Sequence, residues 1–255
     1  NMNKLFSKEL LQGQLFFGTL ITLPAPEISE MAANAGFDWL FVDMEHSALG
    51  MKEVQQHLMA AKNTPCFVRV PAHSEEWSKR VLDAGAHGII FPNVQNVIEV
   101  RNIISWCRYP PVGNRSAGLS RAQGFGQQVA EYFESANSTL SIIIQIEHIN
   151  ALPHLEEMAA MKSIDAWFIG PYDLMMSMKK ENSKVSPEAV EDIIQTIFEV
   201  ARNHHIPCGI YAPDLLTTQQ RLKQGFHLIA TGIDSSILSN HYRHQLNTLK
   251  IKSCQ

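Results

Sequence analysis

Cysteine is scarce in this chain, and what there is lies scattered. Cys66, Cys107, Cys208 and Cys254 form no C-x-x-C pair, which argues against a zinc knuckle, a redox motif or a disulfide framework. A reducing, cytoplasmic compartment fits that usage best. Charge is modest too. Charged residues make up 18% of the chain and the formal net charge is −4, so an electrostatic nucleic-acid binder is not indicated. No apolar run is long enough to span a membrane. The opening NMNKLFSKELLQG reads as a short amphipathic helix without a signal-peptide core. The phosphate-binding fingerprint G-x-G-x-x-G is missing. No linker or low-complexity stretch divides the chain.

What is present is material for one large core. Hydrophobic residues make up 45% of 255, and the length matches the roughly 250 residues of a single α/β barrel, although length alone also allows two smaller domains. Apolar runs that read as strands recur at Leu15 to Leu20, Trp39 to Asp43, Cys66 to Val70, Gly88 to Phe91, Ser141 to Ile146, Asp165 to Ile169, Pro207 to Tyr211 and His227 to Ala230. Helical patterns lie between them: Glu27 to Ala35, Lys52 to Lys62, Glu75 to Ala84, Val97 to Cys107, Leu152 to Ala160, Glu188 to Asn203 and Leu215 to Gln224. Ser74 and Ser186 are suited to N-caps, with Pro187 at a first helical position. Gly36, Gly85 and Gly225 repeat a helix-stop signal directly before a strand. Eight such units predict a single (β/α)8 TIM barrel over residues 1–255 rather than an open doubly wound sheet.

In such a barrel the reacting groups come from the C-terminal strand ends. The second run ends in Asp43, Met44, Glu45 and His46, the third in Arg69, the fourth in Pro92 and Asn93, the fifth in Gln145 and Glu147, and the sixth leads to Asp173. Glu147 and Asp173 are 26 residues apart, close to the roughly 30 of one strand-helix-strand repeat. Their strands are then expected to be neighbours about 4.8 Å apart, and two carboxylates so placed can share one divalent cation. The plainer reading makes Glu147 a solvated strand end and Asp173 a helix cap. Arg69 reads equally as a structural ion pair across the barrel top or as a functional charge. Asp43 and His46 share one short turn, so the acid can orient the imidazole as in a catalytic dyad; the alternative leaves His46 a solvated loop residue.

The runs GFDWLFVDMEHSALG, VRVP, LDAGAHGIIFPNV, RYPPVGNR, QIE and GPYDL together resemble the HpcH/HpaI aldolase family, metal-dependent pyruvate aldolases. They fall in order from about Gly18 to about Asp234, nearly the whole chain. The resemblance implies a (β/α)8 barrel, typically hexameric, that cleaves a 4-hydroxy-2-oxo acid to pyruvate and an aldehyde. It implies that Glu147 and Asp173 hold Mg²⁺ or Mn²⁺, with Co²⁺ also suited to oxygen ligands. By the same likeness His46 with Asp43 manages the proton on the aldol hydroxyl, Arg69 stabilises the enolate oxygen, and Gln145 sits beside the bound oxo acid. The amides of Tyr172 and Asp173 open a helix and can receive the substrate carboxylate.

Several positions depart from the family pattern. His148 follows the QIE run, Tyr172 stands where a small residue usually follows Gly-Pro, and Ser116 follows Arg115. Adjacent to Glu147, His148 is expected on the other strand face as a packing residue. Tyr172 and Tyr211, near the expected pocket mouth, bear on aldehyde specificity. Met176 to Val185 lacks the usual glycines. Two rivals remain: an acyl-CoA lyase of the citrate lyase β type, which also uses Arg with Glu and Asp ligands, and a non-catalytic oxo-acid-binding paralogue. Finally, Val97 to Cys107 carries Ile103, Ile104 and Trp106 on more than one face, which reads as apolar surface covered by another subunit.

Overall fold

The eight apolar runs close on themselves. In the computed structural model, which describes residues 13–252, strands β1 (Phe16–Ile21), β2 (Trp39–Asp43), β3 (Cys66–Arg69), β4 (Gly88–Phe91), β5 (Ser141–Ile146), β6 (Ala166–Ile169), β7 (Cys208–Ala212) and β8 (Leu228–Ile233) form a closed barrel in sequence order. Every neighbouring pair is parallel, including β1 with β8. The helix expected over the first residues and Cys254 lie outside the described residues.

The helices between and after the strands are α1 (Pro26–Ala35), α2 (Met51–Ala60), α3 (Glu75–Asp83), α4 (Val97–Cys107), α5 (Val129–Thr139), α6 (Leu155–Ala159), α7 (Pro171–Glu181), α8 (Pro187–Asn203), α9 (Leu215–Lys223) and α10 (Asp234–Lys252). Ser74 caps α3 by accepting from the Trp77 amide, Ser186 caps α8 by accepting from the Ala189 amide, and Pro187 opens α8. Gly36, Gly85 and Gly225 hold φ of 95°, 94° and 97°, a left-handed conformation in which a β-carbon would be strained. The stretch Leu152 to Ala160 is not one helix: a 3-10 turn over Ile149–His154 contains Pro153, and only then does α6 begin. Three helices, α5, α7 and α10, have no counterpart among the periodic segments.

Burial falls into two layers, as the barrel requires. Inside, Trp39, Phe41, Phe67 and Phe168 meet largely edge to face, Phe41 and Phe168 with ring centroids 5.5 Å apart at 71°. Gly18 makes room for this cluster, since a β-carbon there would lie 2.4 Å from the Trp39 indole. Outside, a larger apolar cluster fills the space between strands and helices. α4 belongs to that outer layer. Val100, Ile103, Ile104 and Cys107 form one buried stripe at helical spacing and Trp106 packs partly buried against it. The reading of these side chains as surface for another subunit is therefore corrected: they cover this barrel's own strands. Cys66, Cys107 and Cys208 are free and buried, and burial pushes the Cys66 thiol up to about 12, which keeps it an unreactive thiol.

Candidate active site

Parallel pairing brings Asp43 of β2 level with Arg69 of β3. The two meet in a bidentate ion pair, Nε to Oδ1 at 2.8 Å and the second guanidinium nitrogen to Oδ2 at 2.7 Å. Both are buried. Arg69 also donates to Gln145 Oε1 at 3.2 Å, lies with Nε 3.3 Å from Glu45 Oε2 and sits 5.2 Å from the centre of the Phe41 ring. Three of its five N–H groups are thus engaged, which leaves two for a ligand. The Gln145 amide continues the chain by donating to Glu147 Oε2 at 2.5 Å.

Glu147 follows directly on β5, and its other oxygen accepts from the Asn93 amide at 2.7 Å. Asn93 has φ of 51°, an uncommon conformation for a residue other than glycine and one that recurs at functional sites. Burial pushes the Glu147 carboxyl up to about 8; Asp173 and Glu45 add to the rise, while Arg69 works against it. The Glu45 carboxyl is raised for the same first reason, burial, with Arg69 again opposing. Gly170, the N-cap of α7, passes so close that a β-carbon there would lie 2.3 Å from Glu147 Oε2.

Asp173 is the third residue of α7 rather than a strand end or a cap, and it is exposed. Its amide and that of Tyr172 belong to a first helical turn, where N–H groups lack intrahelical partners and attract anions. Tyr172 and Tyr211 meet across the mouth, ring centroids 6.1 Å apart and tilted by 51°. Burial pushes the Tyr211 phenol up to about 12.

A cavity of about 280 Å³ at the C-terminal end of the barrel gathers these groups: Asp43, His46, Arg69, Gln145, Tyr172, Asp173 and Tyr211 all line it. Glu147 does not line it. It sits one layer behind, 4% exposed, reached past Gln145 and Gly170. His46 is at the rim with its side chain 60% exposed, Nε2 3.7 Å from Glu45 Oε2.

Two readings change here. The Asp43 to His46 dyad is not formed: the Asp43 carboxylate takes Arg69 and the backbone amides of Glu45 and His46, so it orients the arginine and the turn, and the imidazole leans toward Glu45. His148 is neither ligand nor core packing; its Nδ1 accepts from the Asn150 amide and caps the 3-10 turn. Glu45, read in the sequence only as part of the end of the second run, is the residue that was given no role, and its only signal was its place in the DMEH turn.

Among the described residues no group of three His, Cys, Asp or Glu side chains could hold a metal; the residues that could hold one are the two carboxylates Glu147 and Asp173, with the remaining positions open to water and substrate. The donor set fits a hard divalent cation: oxygen only, with a buried carboxyl that lacks a full countercharge and that a cation would ionise.

The HpcH/HpaI aldolase/citrate lyase family model matches residues 17–241. A hydroxypyruvate/pyruvate aldolase of Roseobacter denitrificans is 32% identical over 240 residues, covering 92% of this chain and 93% of the relative. A 4-hydroxy-2-oxovalerate aldolase of Novosphingobium aromaticivorans is 35% identical over 240 residues, covering 90% and 88%. The crystal structure of a family protein from Burkholderia cenocepacia superposes with a TM-score of 0.88 at 30% identity, covering 95% of this chain and 98% of that one. With a buried arginine, two carboxylates and a helix N-terminus at the mouth of a closed parallel barrel, and with relatives alike over nearly their whole length, the chain belongs to the HpcH/HpaI aldolase/citrate lyase family and is a carbon–carbon lyase of the aldolase kind.

Proposed function

We propose that the protein is a divalent-metal-dependent aldolase that cleaves a 4-hydroxy-2-oxo acid to pyruvate and an aldehyde. The observation that carries this reading is the buried chain Asp43–Arg69–Gln145–Glu147, which ends beside Asp173 at the start of α7. In this reading Glu147 and Asp173 hold Mg²⁺ or Mn²⁺, with Co²⁺ as a substitute. Such an ion, when bound, supplies Lewis-acid polarisation of the oxo acid.

The chain's own residues do the rest. The amides of Tyr172 and Asp173 receive the substrate carboxylate, and Gln145 flanks the ketone. In cleavage the C3–C4 bond breaks. The C4 hydroxyl passes its proton to His46 and becomes the aldehyde carbonyl, and the electron pair moves to C3 and the C2 oxygen. The charge on that oxygen is met by the two unused N–H groups of Arg69; once the aldehyde has left, C3 takes a proton from water and the resulting hydroxide takes the proton held on His46, so the protons balance before pyruvate leaves. Asp43 keeps Arg69 aimed at the cavity.

The protein works, in this reading, in the cytoplasm and as a homo-oligomer, a hexamer by family likeness. Among the described residues no helix is long and apolar enough to cross a membrane. The assembly is supported by α10, which exposes Ile237, Leu246 and Leu249. The test is a screen of 4-hydroxy-2-oxo acids with pyruvate release coupled to lactate dehydrogenase, with and without chelator. Metal-dependent pyruvate release supports the reading. Cleavage of an acyl-CoA thioester instead would favour the citrate lyase type, and pyruvate binding without cleavage of any substrate would favour a binding paralogue.

A further inference from the structure

The cavity is divided by charge. On the side of β2, β3, β5 and the start of α7 stand Asp43, Arg69, Asp173 and, at the rim, His46. The other side, built by β7, β8 and β1, presents Tyr211, Ile233, Leu20, Thr22 and Ser235, and no ionisable group except the tyrosine. Asp234 lies close to that side, yet its carboxylate is already filled. Oδ2 accepts from the amides of Thr22 at 2.8 Å and Leu23 at 2.9 Å, and Oδ1 from the Thr22 hydroxyl at 2.6 Å and the Ser235 amide at 2.7 Å. The Thr22 hydroxyl has therefore given its one proton and can only accept. Tyr172, 54% exposed, closes this half from above against Tyr211.

The pyruvate half of a substrate belongs with the arginine and the carboxylates, so the aldehyde half falls into the uncharged half of the cavity. There a carboxylate would lose water and find no cation, so it is disfavoured. A chain of hydroxyls would find only the neutral hydroxyls of Thr22, Ser235 and Tyr211, with the Thr22 proton already given to Asp234, and no charged group to bind it. An aromatic or branched apolar group, by contrast, would cover the tyrosine rings and Ile233 and gain area and ring contacts.

We propose that the aldehyde fragment of the substrate is uncharged and apolar, aromatic or branched in shape, and packs against Tyr172 and Tyr211 with Ile233 and Leu20 beneath it. This rests on the pyruvate aldolase reading for the placement of the other half. Tyr172 and Tyr211 are then residues that set specificity, acting on the tail and not on the bond that breaks.

The test measures binding and turnover separately. Calorimetry with the metal-loaded protein compares pyruvate, 2-oxo-4-phenylbutanoate and 2-oxoadipate, which lack the 4-hydroxyl and are not cleaved. The phenyl compound should bind about tenfold more tightly than the dicarboxylate, and Tyr211→Leu should reduce that ratio severalfold. In the condensing direction with pyruvate, kcat/KM for benzaldehyde should exceed that for succinic semialdehyde and for glyceraldehyde. Equal or tighter binding of 2-oxoadipate, or a higher kcat/KM with either polar aldehyde, overturns the proposal. Failure of the underlying reading looks different: neither pyruvate binding in the presence of metal nor condensation with any aldehyde would be seen.

Discussion

Arg69 is held by its neighbours rather than merely placed beside them, and the hold has a measurable consequence. Asp43 fixes two of its N–H groups, so Asp43→Asn should release the guanidinium and lower the rate of pyruvate methyl-proton exchange by roughly 10², close to the loss expected on removing such a charge outright. His46→Ala should differ: exchange largely survives while cleavage falls by roughly 10² or more, because its proton transfer is at the aldol hydroxyl. Exchange left intact in Asp43→Asn would return Asp43 to the histidine. Gly170→Ala tests the other arm. Its β-carbon would meet Glu147 Oε2 at 2.3 Å, so metal affinity measured by calorimetry should fall while the circular dichroism spectrum stays that of the parent; unchanged affinity would count against Glu147 as a ligand. The candidate groups themselves were legible, since each stands at the end of an apolar run. Their pairings were not. Asp43 and His46 are three apart in sequence and invite a local dyad, whereas Asp43 and Arg69 are 26 apart and meet only through the register of two parallel strands.

Between elements, the contact of α1 with α2 carries a pH dependence. His57 of α2 is fully buried, with Nδ1 2.8 Å from the Ser29 hydroxyl of α1. Burial lowers its pKa below the ordinary 6.5. The unfolded chain therefore binds the proton more readily than the folded one, so stability is complete above that ordinary value and declines as pH falls through it toward the folded pKa. Urea midpoints should drop between about pH 7.5 and about pH 5.5, and the drop should be smaller in His57→Gln; an identical drop in both would remove His57 from the account. The strands were readable because eight short runs dense in β-branched and aromatic residues stand between glycine and capping signals. α10 was not, for a physical reason: it is exposed along most of its length and carries no apolar stripe against the barrel. α5 (VAEYFESANST) does carry one, Val129, Tyr132, Phe133 and Ala136, with Tyr132 and Phe133 packed on the core, and it and α7 were passed over although their spacing was there to read. The break at Pro153 was visible as a residue but not as the boundary between a 3-10 turn and α6.

For the whole molecule, exposed apolar surface runs along α10, where Ile237, Tyr242 and Leu246 are each more than half exposed, whereas α4 buries Val100, Ile103, Ile104 and Cys107 against this barrel and leaves Ile98 exposed. Light scattering at micromolar concentration should show an oligomer, and Leu246→Asp should shift it toward monomer; a monomeric parent protein would refute the assembly. The site draws on the ends of β2, β3 and β5 and on the first turn of α7, and the central claim is that Arg69 together with a cation on Glu147 and Asp173 stabilises charge on the pyruvate oxygen. The most direct measurement is deuterium uptake into the pyruvate methyl group, followed by proton NMR in D₂O. The account predicts rapid exchange with Mn²⁺ or Mg²⁺, none with excess chelator, none in Asp173→Asn, and a loss of about a hundredfold in Arg69→Ala. Exchange that persists in chelator, or at the parent rate in either variant, would contradict it.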